Sequence, residues 1–300
     1  MKDSALKDGD LPAFAAELGI PGFFDVHVHF MHPRVMAKVW AYFDGVGSGL
    51  WPVHYRGTDD ERVEHLHAMG VRRFTSLSYA HKPGIASFLN DWTREFAERT
   101  PDTVWSSTFY AEPEAADYVP KLVDAGVEVF KAHLQVGDFP ADDPLLEPVW
   151  GTLAESGTPI VLHAGSGPAP GRHTGPGGVA RVLARHPDLR LVIAHLGAPE
   201  VAEFMDLADR YANVMLDTTM AFVDFWEEPA DPAIVQRLPG LQDRILFGTD
   251  FPNIPYEYAH QVEALQRLDL GDDWMRDVLW NNGARLFGPE MSGPVERVAP

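Results

Sequence analysis

Eight short apolar runs recur along the chain, and each is followed by a stretch with the three-to-four-residue periodicity of a helix that buries one face. The runs fall at 23–30, 71–79, 103–110, 127–134, 159–163, 189–195, 213–218 and 244–248. Parallel strands cannot be joined by a tight turn and need a crossover, usually a helix. Strand then helix, eight times, predicts an α/β fold: a distorted (β/α)8 barrel of the TIM type. The alternative, an open doubly wound sheet, is expected to carry a glycine-rich phosphate loop after an early strand. Here the first run instead ends in Asp25-Val26-His27-Val28-His29.

The connections add detail. Thr58, with Glu61 three residues on, reads as a capping box opening a helix that Gly70 stops. The stretch from Met31 to Gly57 is too long for an ordinary connection. Its aromatic residues (Trp40, Tyr42, Phe43, Trp51, Tyr55) argue against disorder. A partly helical, lid-like insertion after strand one is the expectation. Two further helical stretches start near Tyr256 and Asp272, and the last, an extra C-terminal helix, reaches Phe287. With no internal repeat or low-complexity linker, the chain reads as one domain over 1–300, with a lead-in at 1–20, the barrel at 21–288 and a tail at 289–300.

Composition narrows the chemistry. There is no cysteine, so a metal would be held by histidine and carboxylate. The formal charge of −20 argues against nucleic acid or an anionic membrane as partner. No apolar run is long enough to span a bilayer, and the start, Met1-Lys2-Asp3-Ser4, does not read as a signal peptide. A cytoplasmic protein acting on a small molecule is expected, and the aromatic content is compatible with a homodimer.

In a (β/α)8 barrel the site lies where the strands end. Strand one ends with His27 and His29, strand four with Lys131 and His133, strand five with His163, strand six with His195 and strand eight with Asp250. Strict alternation along strand one would put Asp25, His27 and His29 on one side and Phe24, Val26, Val28 and Phe30 on the other. Any one of these polar residues has an ordinary structural explanation: a lone strand-end histidine is commonly just hydrogen-bonded, and Asp250 before Phe251-Pro252 could start a turn. Their coincidence at the ends of apolar runs points to a metal centre. Imidazole and carboxylate suit zinc and other first-row divalent ions. Asp250 could touch the metal and take a proton from water, and His195 could stabilise developing charge. Asp25 could orient an imidazole from behind or simply make a barrel-floor hydrogen bond.

These residues resemble the amidohydrolase superfamily, specifically its amidohydrolase-related (amidohydrolase 2) branch. The resemblance rests on Phe24-Asp25-Val26-His27-Val28-His29, Phe130-Lys131-Ala132-His133, Val161-Leu162-His163-Ala164-Gly165, His186-Pro187-Asp188-Leu189 followed by His195-Leu196-Gly197, Leu246-Phe247-Gly248-Thr249-Asp250-Phe251-Pro252, and Asn281-Asn282-Gly283-Ala284-Arg285-Leu286-Phe287. It implies His27, His29, His163 and Asp250 as metal ligands, with His195 and Asp250 catalytic. One divalent ion is implied, zinc first, with manganese, nickel or iron as alternatives. In binuclear relatives a strand-four lysine carboxylated by CO₂ bridges two metals, a role open to Lys131. Otherwise Lys131, and with it His133, stands near the substrate.

The reaction implied is hydrolysis of a lactone, ester or amide, with an aromatic or carboxylic acid derivative among the candidate substrates. The alternative is non-oxidative decarboxylation of an aromatic or unsaturated acid. Decarboxylases of the branch often carry glutamate where His27 stands. A non-catalytic ligand-binding barrel is the third reading. Arg172 and His173 in the loop after His163, and Trp51 and His54 in the insertion, are the loop residues placed to meet substrate.

Overall fold

The computed structural model describes residues 5–46, 49–226 and 230–288. The strands are β1 (Phe23–Asp25), β2 (Val71–Thr75), β3 (Thr103–Val104), β4 (Ser106–Thr108), β5 (Val129–His133), β6 (Ile160–His163), β7 (Leu191–Ile193), β8 (Val214–Asp217) and β9 (Ile245–Leu246). All are paired in parallel, in a three-stranded sheet β1-β2-β3 and a six-stranded sheet β4 to β9. β3 and β4 are one barrel strand interrupted at Trp105, so the nine segments make eight staves. The barrel closes where Val26 N donates to Phe247 O (2.9 Å), Asp250 N to His27 O (2.8 Å) and His29 N to Phe251 O (2.7 Å). This is the (β/α)8 barrel that the strand–helix alternation predicts.

Between the strands run α3 (Asp59–Ala68), α4 (Ala86–Arg99), α5 (Ala115–Asp124), α7 (Glu147–Ser156), α8 (Pro176–Arg185), α9 (Val201–Arg210) and α10 (Pro232–Arg237). α3 starts as its sequence dictates: Glu61 N donates to Thr58 Oγ1 (3.3 Å) and Thr58 N to the Glu61 carboxylate (2.8 Å). The insertion after strand one carries α2 (Pro33–Gly45), and the short α6 (Leu134–Gly137) follows β5 directly. The lead-in forms α1 (Leu11–Leu18), tied to α12 (Asp272–Arg276) by the bond from Arg276 Nε to Leu18 O (2.7 Å). α11 is Tyr258–Gln266 and α13 is Asn282–Phe287. The tail placed at 289–300 lies outside the described residues.

Two apolar layers hold the barrel. The inner one draws on successive staves: Phe24, Val26, Leu77, Val104, Val129, Val161, Val192 and Leu246. Leu286 of α13 joins it, and Phe287 stacks on Phe24 (5.5 Å), so the C-terminal helix plugs the barrel floor. The outer layer packs Phe23, Val28, Phe30, Phe74, Phe130 and Leu162 against the helices.

The alternation expected along residues 23–30 is therefore broken. Phe24 and Val26 face inward, whereas Val28 and Phe30 face outward. The break is a bend at Val26. There, side chains take over the backbone donors: His27 N donates to Asp25 Oδ1 (3.0 Å) and Val28 N to Thr75 Oγ1 (3.1 Å). The ladder stops at Asp25 for that reason, and the bend lets His27 follow Val26 into the barrel.

Candidate metal centre

His27, His29 and Asp250 bring their ligand atoms together at the barrel mouth. Asp250 Oδ1 lies 2.8 Å from His29 Nε2 and 3.8 Å from His27 Nε2. The outer nitrogens are already committed. His27 Nδ1 lies 2.9 Å from Asp217 Oδ2 and His29 Nδ1 lies 3.1 Å from Leu77 O. Both of those partners only accept, so each Nδ1 carries the proton and each Nε2 a lone pair; that of His29 faces Asp250, and that of His27 lies 3.1 Å from Lys131 Nζ and 3.8 Å from Asp250. At His29 this leaves a lone pair facing a carboxylate oxygen at hydrogen-bond distance. A neutral imidazole has one N–H, already given to Leu77, so a cation between His29 Nε2, His27 Nε2 and Asp250 is what the donor set fits.

Around this triad six rings form a closed circuit. Centroid distances are 5.1 Å for His27–His29, 5.6 Å for His29–Tyr79, 5.2 Å for Tyr79–His133, 3.8 Å for His133–His163, 4.8 Å for His163–His195 and 5.0 Å for His195–His27. Lys131 is fully buried beneath it, its Nζ 3.1 Å from His27 Nε2. Burial lowers the Lys131 ammonium to about 8, although the Asp217 and Asp250 carboxylates pull the other way. Burial is also the first cause holding the His27, His133 and His195 rings well below the ordinary histidine range, reinforced by neighbouring imidazoles and Lys131. His163 is brought down to about 4, by burial and then by Lys131.

His163 stands apart from the triad. Its Nε2 faces Gly167 O at 3.0 Å, which leaves Nδ1 as its free lone pair. The strand-five histidine thus borders the centre through its ring contacts, and the grouped ligand atoms are those of His27, His29 and Asp250. Asp25 meets His27 through the backbone rather than the ring. Its carboxylate takes His27 N, Thr249 Oγ1 (2.6 Å) and Tyr258 OH (2.8 Å), and burial still raises it to about 7. It fixes the chain on both sides of the centre, at His27 and one residue before Asp250.

The loop residues divide. Trp51 is buried, stacks on Phe43 of α2 (5.3 Å) and donates Nε1 to Asn253 O (2.7 Å), three residues past Asp250. His54 and Arg172 are exposed, and His173 faces Asp138 at 3.7 Å.

Asp217 is the site residue that sequence reasoning missed. Oδ2 holds the His27 ring, while Oδ1 accepts from His195 N (2.9 Å) and Thr219 N (3.1 Å). Its signal was available: Val214-Met215-Leu216 is an apolar run ending in a carboxylate, the signature that marked His163 and His195. The bond to His195 N matters because His195 sits at φ 56°, with Leu196 after it at 53°, backbone that non-glycine residues adopt at a cost. Gly248 is needed for a different reason. A Cβ there would lie 2.8 Å from His27 Cβ and press on Thr219 Oγ1. Gly248→Ala is expected to cost about 1–3 kcal/mol of stability and to weaken metal retention, checked by thermal melts with and without added divalent ion.

A parallel eight-stave barrel with two strand-one histidines and a last-strand aspartate converging at its mouth defines a metal-dependent TIM-barrel enzyme. The amidohydrolase family model matches residues 24–288, and the chain belongs to that family, in its amidohydrolase 2 branch of metal-dependent enzymes. No protein of curated function matches it by sequence. Among solved structures, an uncharacterized TIM-barrel protein from Bordetella bronchiseptica superposes with TM-score 0.73 at 22% identity, covering 91% of this chain and 99% of its own. A 5-carboxyvanillate decarboxylase from Novosphingobium aromaticivorans, solved with manganese and 4-hydroxy-3-methoxy-5-nitrobenzoic acid, gives 0.61 at 14% identity, with 90% and 97% covered. A probable 2-pyrone-4,6-dicarboxylic acid hydrolase from Acinetobacter baumannii, with citric acid bound, gives 0.57 at 15%, with 89% and 99% covered. At these identities the likeness is one of fold.

Proposed function

We propose that the protein is a metal-dependent hydrolase that opens a small carbonyl substrate, a lactone, ester or amide, at the barrel mouth. The observation that carries this reading is the His29 Nε2–Asp250 Oδ1 approach of 2.8 Å with His29 Nδ1 already bonded to Leu77 O. His27, His29 and Asp250 would hold one divalent ion, zinc first among manganese, nickel and iron, with His163, which borders the triad, as the further candidate donor. When bound, such an ion lowers the pKa of a coordinated water and polarises a substrate oxygen.

The chain's own groups do the rest. Asp250, at 15% side-chain exposure, is reachable from the mouth and takes the water's proton. His195, fixed through its backbone by Asp217, stands beside His27 and hydrogen-bonds the oxygen on which charge develops. Lys131, whose Nζ lies 3.1 Å from His27 Nε2, is read as an unmodified amine, which goes with one ion rather than two; an ion held by His27 Nε2 would take the place of that contact. α2 and Trp51, which reach Asn253 near the mouth, are proposed as a lid over the site.

Decarboxylation remains the second reading, because it would use the same ligands and is the activity named for three of the similar solved structures. Histidine rather than glutamate at position 27 favours hydrolysis. The two readings part on products: a panel of lactones and esters should release acid, and hydroxybenzoates should not release CO₂. Elemental analysis of protein purified without chelator is expected to find about one divalent ion per chain. An apo-protein that takes up none on reconstitution would remove the metal centre from the account.

A further inference from the structure

In the six-ring circuit the Tyr79–His133 edge lies opposite the His195–His27 edge. His133 caps α6: its Nδ1 accepts from Val136 N at 3.4 Å, so the ring proton sits on Nε2. Neither that Nε2–H nor the Tyr79 hydroxyl has a hydrogen-bond partner among the described residues, and both side chains are half-buried rather than sealed. The two rings are 5.2 Å apart. Two donors on adjoining rings are thus left open, opposite the His195–His27 edge and flanked by His29 and His163.

The charges around them are informative. No lysine or arginine among the described residues bonds to either group. The carboxylate felt at the Tyr79 hydroxyl is that of Asp250, and the nearby ammonium, Lys131, is turned to His27 Nε2. A second carboxylate placed at this edge would find no guanidinium among the described residues.

We infer that Tyr79 O–H and His133 Nε2–H are substrate-binding groups that together hold an uncharged oxygen acceptor, such as a ketone, ester or ring carbonyl, on a part of the substrate other than the reacting carbonyl. The inference rests on the metal centre proposed above and adds the substrate class. A substrate that satisfies both is compact and carries two oxygen functions on a small, flat skeleton, which suits a circuit of aromatic walls.

Benzohydroxamates test this by calorimetry on the metal-reconstituted full chain, because the hydroxamate chelates at the metal-binding residues and a meta substituent reaches towards the Tyr79–His133 edge. The 3-acetyl compound is expected to bind about tenfold more tightly than the 3-ethyl compound, the worth of one or two neutral hydrogen bonds in a closed site. The 3-carboxy compound should bind less tightly than the 3-acetyl one. Tyr79→Phe and His133→Asn should each shrink the acetyl advantage to about threefold or less, with binding of unsubstituted benzohydroxamate kept. Asparagine retains an acceptor for Val136 N, so the α6 cap survives in that variant. Equal binding of the acetyl and ethyl compounds, or an advantage untouched in both variants, overturns the inference. Tightest binding by the carboxy compound overturns the assignment of an uncharged group. Failure of the metal centre itself shows separately, as loss of binding by the unsubstituted probe.

Discussion

Asp250→Asn is expected to lower turnover by about two to four orders of magnitude, the usual worth of a positioned proton acceptor, while the barrel still folds. The backbone at Asp250 is at φ 73°, and asparagine tolerates that region as aspartate does. The bonds from Asp250 N to His27 O and from Asn253 N to Asp250 O use only main-chain atoms and survive the exchange. What is lost is one carboxylate oxygen and the charge: the group 2.8 Å from His29 Nε2 can no longer take a proton, and it binds a cation more weakly. The check is kcat on whichever panel substrate is turned over, with metal content and melting midpoint measured on the same preparation. A variant that keeps its metal and more than a tenth of wild-type kcat would remove Asp250 from the proton-handling role.

Asp217→Asn is expected to weaken metal binding by about ten- to a hundredfold, the usual effect of removing a ligand's hydrogen-bonded carboxylate. The reason is tautomeric. Asp217 faces three N–H groups, from the His27 ring, His195 N and Thr219 N. An asparagine can keep its single oxygen on the two main-chain donors only by turning its NH₂ to His27 Nδ1. His27 must then give up its Nδ1 proton and carry it on Nε2, where the lone pair for the cation has to be. The fold is kept and the ligand is turned off. Competition against a chromophoric chelator measures the loss. Affinity within twofold of wild type would show that Asp217 does not set the His27 tautomer.

The strand ends were legible because chemistry and burial coincide there. An apolar run that stops at His163, His195 or Asp250 names both the stave and its functional tip. The same rule names Asp217, where the run Val214-Met215-Leu216 ends in a carboxylate. The bend at Val26 was not legible in the same way. It depends on Asp25 catching His27 N, a contact that competes with an alternation the sequence otherwise shows over eight residues. Nor could spacing say that Asp25 would be shared by Thr249 and Tyr258, residues more than two hundred positions away. The orientation of the His163 ring is likewise not legible in the sequence. Its position at a strand end is set by the sequence, but where its Nε2 points depends on the Gly167 carbonyl, a detail of one loop.

The interruption of one stave at Trp105 leaves the barrel as two hydrogen-bonded sheets, three strands and six. His27 and His29 extend the smaller sheet, and Asp250 extends the larger. A cation gripped by all three therefore acts as a rivet across the seam where β9 meets β1. Whatever binds there more tightly in the folded than in the unfolded chain adds its binding free energy to barrel closure. The centre that would do the chemistry is also a fastener, so that loss of the ion would loosen the seam before it loosened either sheet.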